Sequence, residues 1–352
     1  MRKAELALGW TDTRGRDRWT EADVRAFDSY LSSSTRASSR SLETYLENEG
    51  RSLSPLMKFD LWVRLWLEHH EGRTRISPAT ATHATRWELD HHTIGDDTDH
   101  PHHVSSHFAG KCLGWALSTF DWDEPVCEAT LLGITFSPSD IKGLLASIYN
   151  GAQFFVPEAS FVGHSYRDIE GHNSREYYED VHPHDFVRAL ASTIGRGHML
   201  EGDLCTGHEV WNHPIYRYEL DHGPVRRGRV EVEATIHYAD DDVDIDGVFS
   251  LTPGRPDLRQ RRLSFELDLP SGSTSLATAT GGRWLGESVD THPDTLILGL
   301  ESGWRQKIYQ YRRTQMNQEV NFPLIKRLEI GNRRVPMVDL LLADYYAHQA
   351  EP

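Results

Sequence analysis

The chain carries its strongest chemical signal at Gly110-Lys111-Cys112-Leu113-Gly114-Trp115-Ala116, where a single cysteine stands at the predicted start of a helix among small residues. A helix start offers unpaired N–H donors and partial positive charge, both of which favour S⁻ over SH. The two glycines leave room for a substrate backbone to approach the sulfur. A cysteine so placed suits nucleophilic attack on a carbonyl carbon, through a thioester.

The rest of the composition narrows what such a thiol would work on. The 352 residues are 38% hydrophobic, enough to bury a full core. Cys112, Cys127 and Cys205 form an odd, sparse set with no CxxC pair, which argues against a disulfide framework and suits a reducing compartment. A formal charge of −16 disfavours nucleic acid and anionic membranes as partners and favours cationic ones such as lysine side chains or polyamines. Protonation of the 20 histidines would reverse that balance, so behaviour is expected to change on acidification through pH ~6. Met1 to Trp10 lack the apolar run of a secretory signal, and no stretch has the length of a membrane span. The expected location is cytoplasmic, or outside the cell by export without a classical signal peptide.

Several elements must position the cysteine. Thr20-Glu21-Ala22-Asp23 predicts a helix running to about Leu31, and aromatic and aliphatic residues at helical spacing predict another over Lys58 to His70. A polar linker, Arg73 to Thr82, follows. Apolar residues from Cys112 to Phe120 fit a buried helix, and Ser137-Pro138-Ser139-Asp140 caps one that stops at Asn150-Gly151. Beyond Asp203 the pattern changes to period two: Val230 to Tyr238, Asp242 to Leu251 and Arg262 to Leu269 alternate as antiparallel strands. Val210 to Asp221 reads as an extended strand and bend, with Tyr216 and Tyr218 on one face. The fold class is α+β.

Two stretches resemble metal sites without their ligand spacing. Asp90 to His107 is dense in histidine but has no HExxH and no paired cysteine, so it reads as a solvated loop with no metal assigned. Asp242-Val243-Asp244-Ile245-Asp246-Gly247 opens like a calcium loop, yet its twelfth position is Pro253 rather than a bidentate glutamate.

Five blocks in order resemble the transglutaminase elicitor family of oomycete plant pathogens and bacterial relatives. They are the cysteine motif at 110–116, Ile134 to Gly151, Asp180 to Gly195, Asp203 with Glu209-Val210-Trp211-Asn212-His213-Pro214, and Gly281-Gly282-Arg283-Trp284 with His292-Pro293-Asp294. Two positions depart from the family pattern: Leu113 and Val187 stand where histidines are expected.

The resemblance implies a papain-like cysteine-enzyme core with an antiparallel sheet and a helical N-terminal region. The chain is expected to divide into a helical region at 1–85, a catalytic domain at 86–300, and a C-terminal extension at 301–352 packing on the core. The resemblance implies a γ-glutamyltransferase-like reaction, in which Cys112 forms a thioester from the carboxamide of a glutamine-containing protein or peptide and a primary amine, lysine or polyamine, resolves it. Asp203 is then the orienting acid. For the base His184 ranks first, His182 second, and His208 and His292 behind them. Backbone N–H of Cys112 supplies half of an oxyanion hole and the region Ser106 to Phe108 the other half. Amine must outcompete water, which favours a dry channel, with Trp115 and Trp211 as candidate walls. The chemistry needs no cofactor, and the resemblance allows calcium dependence. The same machinery with water as acceptor is a glutamine deamidase or cysteine protease, and a degenerate relative would be a binding protein.

Overall fold

The computed structural model describes residues 27, 31, 53–70, 83–91, 112–150, 160–163, 181–204, 211–240, 258–299, 304–315, 324, 327–330 and 333–349. Helix α1 (Pro55–His69) starts as its sequence dictates, with Ser54 Oγ accepting from Met57 N at 3.2 Å and Pro55 in the first turn. Asp60, buried in the middle of α1, accepts from the backbone N–H groups of Ala84 and Thr85 at 2.8 and 2.9 Å. One side chain thus satisfies the orphan donors that open α2 (Ala84–His91) and fastens it to α1. This helix takes in the first two residues of the histidine-dense stretch expected as loop. The remainder of that stretch, the linker at 73–82 and most of the first predicted helix lie outside the described residues.

Helix α3 (Cys112–Ser118) leads to the short hairpin β1 (Ala129–Leu131) and β2 (Ile134–Phe136), then to α4 (Pro138–Tyr149). Ser137 and Asp140 close a reciprocal capping box at the start of α4, where the sequence places it. Asp140 also meets Lys58 at 2.5 Å, tying α4 to α1.

The main sheet has seven strands in the order β3 (Phe161–Gly163), β9 (Thr295–Leu298), β4 (Leu200–Asp203), β5 (Asn212–His222), β6 (Arg229–Ala239), β7 (Leu258–Asp268), β8 (Gly281–Trp284), every pairing antiparallel. The strands expected over 230–238 and 262–269 appear as β6 and β7; the one expected over 242–251 lies outside the described residues. A register shift between Ile215 and Arg217 bends β5. The sheet curls around α5 (Pro183–Ser192): the Val181 carbonyl accepts from Trp284 Nε1 of β8 at 2.9 Å, while Val181 also packs against Gly163 of β3. Both sheet edges thereby meet at the start of α5.

Two cores lie on opposite faces of β3, β9, β4 and β5, because side chains alternate along a strand. Phe186, Val187 and Leu190 of α5 pack with Leu200, Ile215 and Leu296 on one face. Ile297 and Phe161 point the other way, into a core with Leu113 and Leu117 of α3 and Leu144 and Ile148 of α4. Helix α6 (Trp304–Gln315), the hairpin β10 (Arg327–Ile330) and β11 (Arg333–Pro336), and α7 (Met337–Gln349) complete that second core through Trp304, Leu328, Leu341 and Tyr345. The α+β class read from the sequence is the class observed.

Candidate active site

Cys112 is the first residue of α3, and its position is set by how that helix packs. A Cβ built on Gly114 would lie 2.2 Å from the Ala146 carbonyl oxygen and 2.8 Å from Asn150 N, so glycine lets α3 and α4 touch backbone to backbone. The second glycine of the cysteine motif therefore serves helix packing. Cys112 itself is half-buried.

On the sheet side the sulfur meets Asn212, whose Nδ2 donates to Cys112 Sγ at 3.4 Å. Asn212 opens β5 and is buried. Its place is held by β4, where Asp203 sits directly opposite it in register. Asp203 Oδ1 accepts from Trp211 N at 2.9 Å, and Leu204 N donates to Trp211 O at 3.0 Å, so both polar groups of the Trp211 backbone are used to anchor the strand start. Thr295 lies opposite Asp203, and Gly163 opposite Thr295. The row Asn212, Asp203, Thr295, Gly163 crosses the sheet on the face that carries α3.

Cys112 and Asp203 thus come to one side of the sheet. Asp203 is one register position from the residue that touches the sulfur, and its carboxylate is buried. Trp211 adjoins Asn212 in the chain, and Trp115 follows Cys112 by one helical turn; both are half-buried. No sequence criterion singled out Asn212 as a site residue, although it lies inside the Val210-Trp211-Asn212 block. Its signal there was adjacency to a tryptophan and a strand start, which does not distinguish a functional amide from a structural one.

The structure places His184 elsewhere. It lies in the first turn of α5, whose apolar residues pack into the core across the sheet from α3, with Nε2 3.4 Å from Asp185 and its ring stacked on His182 at 5.7 Å. The start of α5 sits by Gly163, three strand spacings from Asn212, about 14 Å along the sheet. Burial holds the His184 imidazole below its ordinary value, partly offset by Asp185. Val187 fills the α5 core, as an apolar residue at that position would. His292 stacks on Trp284 and its Nδ1 lies 3.0 Å from the Ser288 carbonyl. The His-Pro-Asp motif leads directly into β9, with Asp294 N donating to the Asp203 carbonyl at 3.1 Å. His208, Ser106 to Phe108, Cys205 and the acidic stretch at 242–247 lie outside the described residues. Among the described residues no group of three or more His, Cys, Asp or Glu side chains is arranged to hold a metal ion, and no helix is long and apolar enough to cross a membrane.

A family model described as "Transglutaminase elicitor" matches residues 90–241, the span that holds Cys112, Asp203 and Asn212. The chain resembles the transglutaminase elicitor family. Among solved structures it is similar to the GP42 transglutaminase from Phytophthora sojae, at 21% identity and a TM-score of 0.40, over 54% of this chain and 55% of that one. The chain therefore spans about half the length of that relative. No curated protein matches it.

Proposed function

We propose that the protein is a transglutaminase-like acyltransferase with a papain-like arrangement, in which Cys112 is the nucleophile. The observation that carries this reading is the Asn212 amide 3.4 Å from the Cys112 sulfur, at the first residue of a helix packed on the sheet. In the reaction the sulfur attacks the carboxamide carbon of a protein-bound glutamine, and the C–N bond breaks. The nitrogen departs as ammonia, carrying the proton that left the thiol. The γ-glutamyl thioester is then attacked by a primary amine, which loses a proton to the sulfur as the C–S bond breaks.

Asp203 is proposed to act through the strand it pins, and Trp115 and Trp211 to flank the acyl group. The imidazole that carries the proton is a separate matter. His184 belongs to α5, whose apolar residues pack into the core that does not hold α3, and its part in catalysis is not included in this reading.

The experiment is incorporation of a fluorescent primary amine into casein, with ammonia release measured with and without amine and mass spectrometry of the casein. Wild-type protein is expected to attach amine, and Cys112→Ala to attach none. Release of ammonia with glutamine converted to glutamate would make the protein a deamidase, and cut chains would make it a protease. No change in casein under either condition would refute the enzymatic reading.

A further inference from the structure

We propose that Asn212 is a catalytic residue of this site, its side-chain amide donating to the Cys112 sulfur and holding it as the thiolate. The inference rests on Cys112 being a working nucleophile and is independent of which acceptor resolves the thioester.

Three observations lead to it. The donor is within reach of sulfur, Nδ2 to Sγ 3.4 Å, and buried, so water does not compete for it. Helix α3 is only two turns long, which leaves its dipole a weak source of thiolate stabilisation. Two buried acidic side chains, Glu201 and Asp203 of β4, share the sheet face that carries α3. On α3 no residue besides Cys112 ionises, and on α4 Asp140 and Lys142 are engaged with Lys58 and Glu124. Against those acidic side chains, Asn212 brings a neutral donor to the sulfur. A hydrogen bond from a neutral amide to an ion strengthens as the ion forms, which is the direction needed.

The amide is also unusually well held. Its Cα is locked opposite Asp203, and the preceding residue is bonded through both backbone groups to β4. A donor fixed by the sheet does not need reorganising when charge appears on sulfur.

The test is the pH dependence of iodoacetamide alkylation, followed by peptide mapping, in wild type, Asn212→Ala and Asn212→Asp. Exposed Cys127 serves as the internal reference. The wild-type midpoint for Cys112 is expected below that of Cys127. Asn212→Ala should raise it by about one pH unit or more, the size of a charged hydrogen bond. Asn212→Asp, nearly isosteric, should raise it further, because it replaces a donor with a carboxylate. An unchanged midpoint in the folded Asn212→Asp protein, or a midpoint that falls in Asn212→Ala, overturns the assignment; the latter would mean the amide accepts from the thiol. A wild-type midpoint at or above that of Cys127 overturns it as well. Alkylation reports on the sulfur alone, so a shifted midpoint with ammonia released from casein but no amine incorporated would leave this inference standing while the acyl-transfer reading fails.

Discussion

Replacing Gly114 with alanine tests the packing that positions Cys112. Two effects compete. Alanine favours a helix over glycine by about 1 kcal/mol. Against that, the new Cβ would sit 2.2 Å from the Ala146 carbonyl oxygen, and an ordinary close C···O contact is about 3.3 Å. The partner is backbone of α4, which has no rotamer to yield. Helix α3 must then move out by about 1 Å, and overpacking of this kind costs about 1–3 kcal/mol, so the clash wins. The melting temperature is expected to drop by about 1–3 °C. The displacement matters more for function, because Cys112 is two residues away and starts from a contact of 3.4 Å with Asn212. Moving the sulfur by about 1 Å should slow amine incorporation by roughly 10²-fold. The assays are a thermal melt and fluorescent-amine transfer, with Gly143→Ala as a control, since its Cβ would meet only the Pro55 ring at 3.0 Å. A Gly114→Ala protein as stable and as active as wild type would refute the close α3 to α4 contact and the argument built on it.

Other outcomes follow from the same geometry. Asp203→Ala should cost about 1–3 kcal/mol in urea unfolding, because the N–H of Trp211 loses its acceptor, whereas Asp203→Asn keeps an acceptor oxygen and should be near neutral; equal stability of the two would contradict the strand-pinning role. His184→Ala is expected to retain amine transfer within a few-fold of wild type in the casein assay, given its place across the sheet, and a loss of 10²-fold would show that α5 moves. The folded-state value of His184 is lowered by burial, so the native protein binds fewer protons there than the unfolded chain; stability is full above about 6.5 and declines as pH falls through that value. Melting temperature against pH should therefore fall less steeply in His184→Gln. Because Cys127 is exposed, alkylation at pH 8 should mark both it and Cys112, and only at pH 6 to 7 should Cys112 lead.

The elements that local rules govern were legible from the chain. Ser137 and Asp140 fall three apart after an apolar hairpin, and the capping box formed there. The alternation of Val230, Val232, Ala234 and Ile236 assigns β6 and names its buried face, because strand side chains have a period of two. The helix after Cys112 was likewise readable, and so was the extended strand after Trp211. What needed no tertiary information was the choice of Cys112 as the candidate thiol.

The choice of partners for that thiol was not legible. His184 and Asn212 each lie in a block that resembles the same family, and linear spacing does not tell which of two segments shares a sheet face with Cys112. That was decided by register: Asn212 pairs with Asp203 on the α3 face, while α5 is drawn to the other face by Phe186, Val187 and Leu190. The α3 to α4 contact was hidden for the same reason, since a glycine beside a cysteine reads as substrate access until the opposing backbone is placed. Sequence by itself determined the caps and the strand faces and singled out Cys112 as the candidate thiol, because these depend on residues within one or two turns of each other. Only the tertiary structure decided which polar group meets the sulfur, because that depends on strands and helices distant in the chain settling their apolar faces into two separate cores.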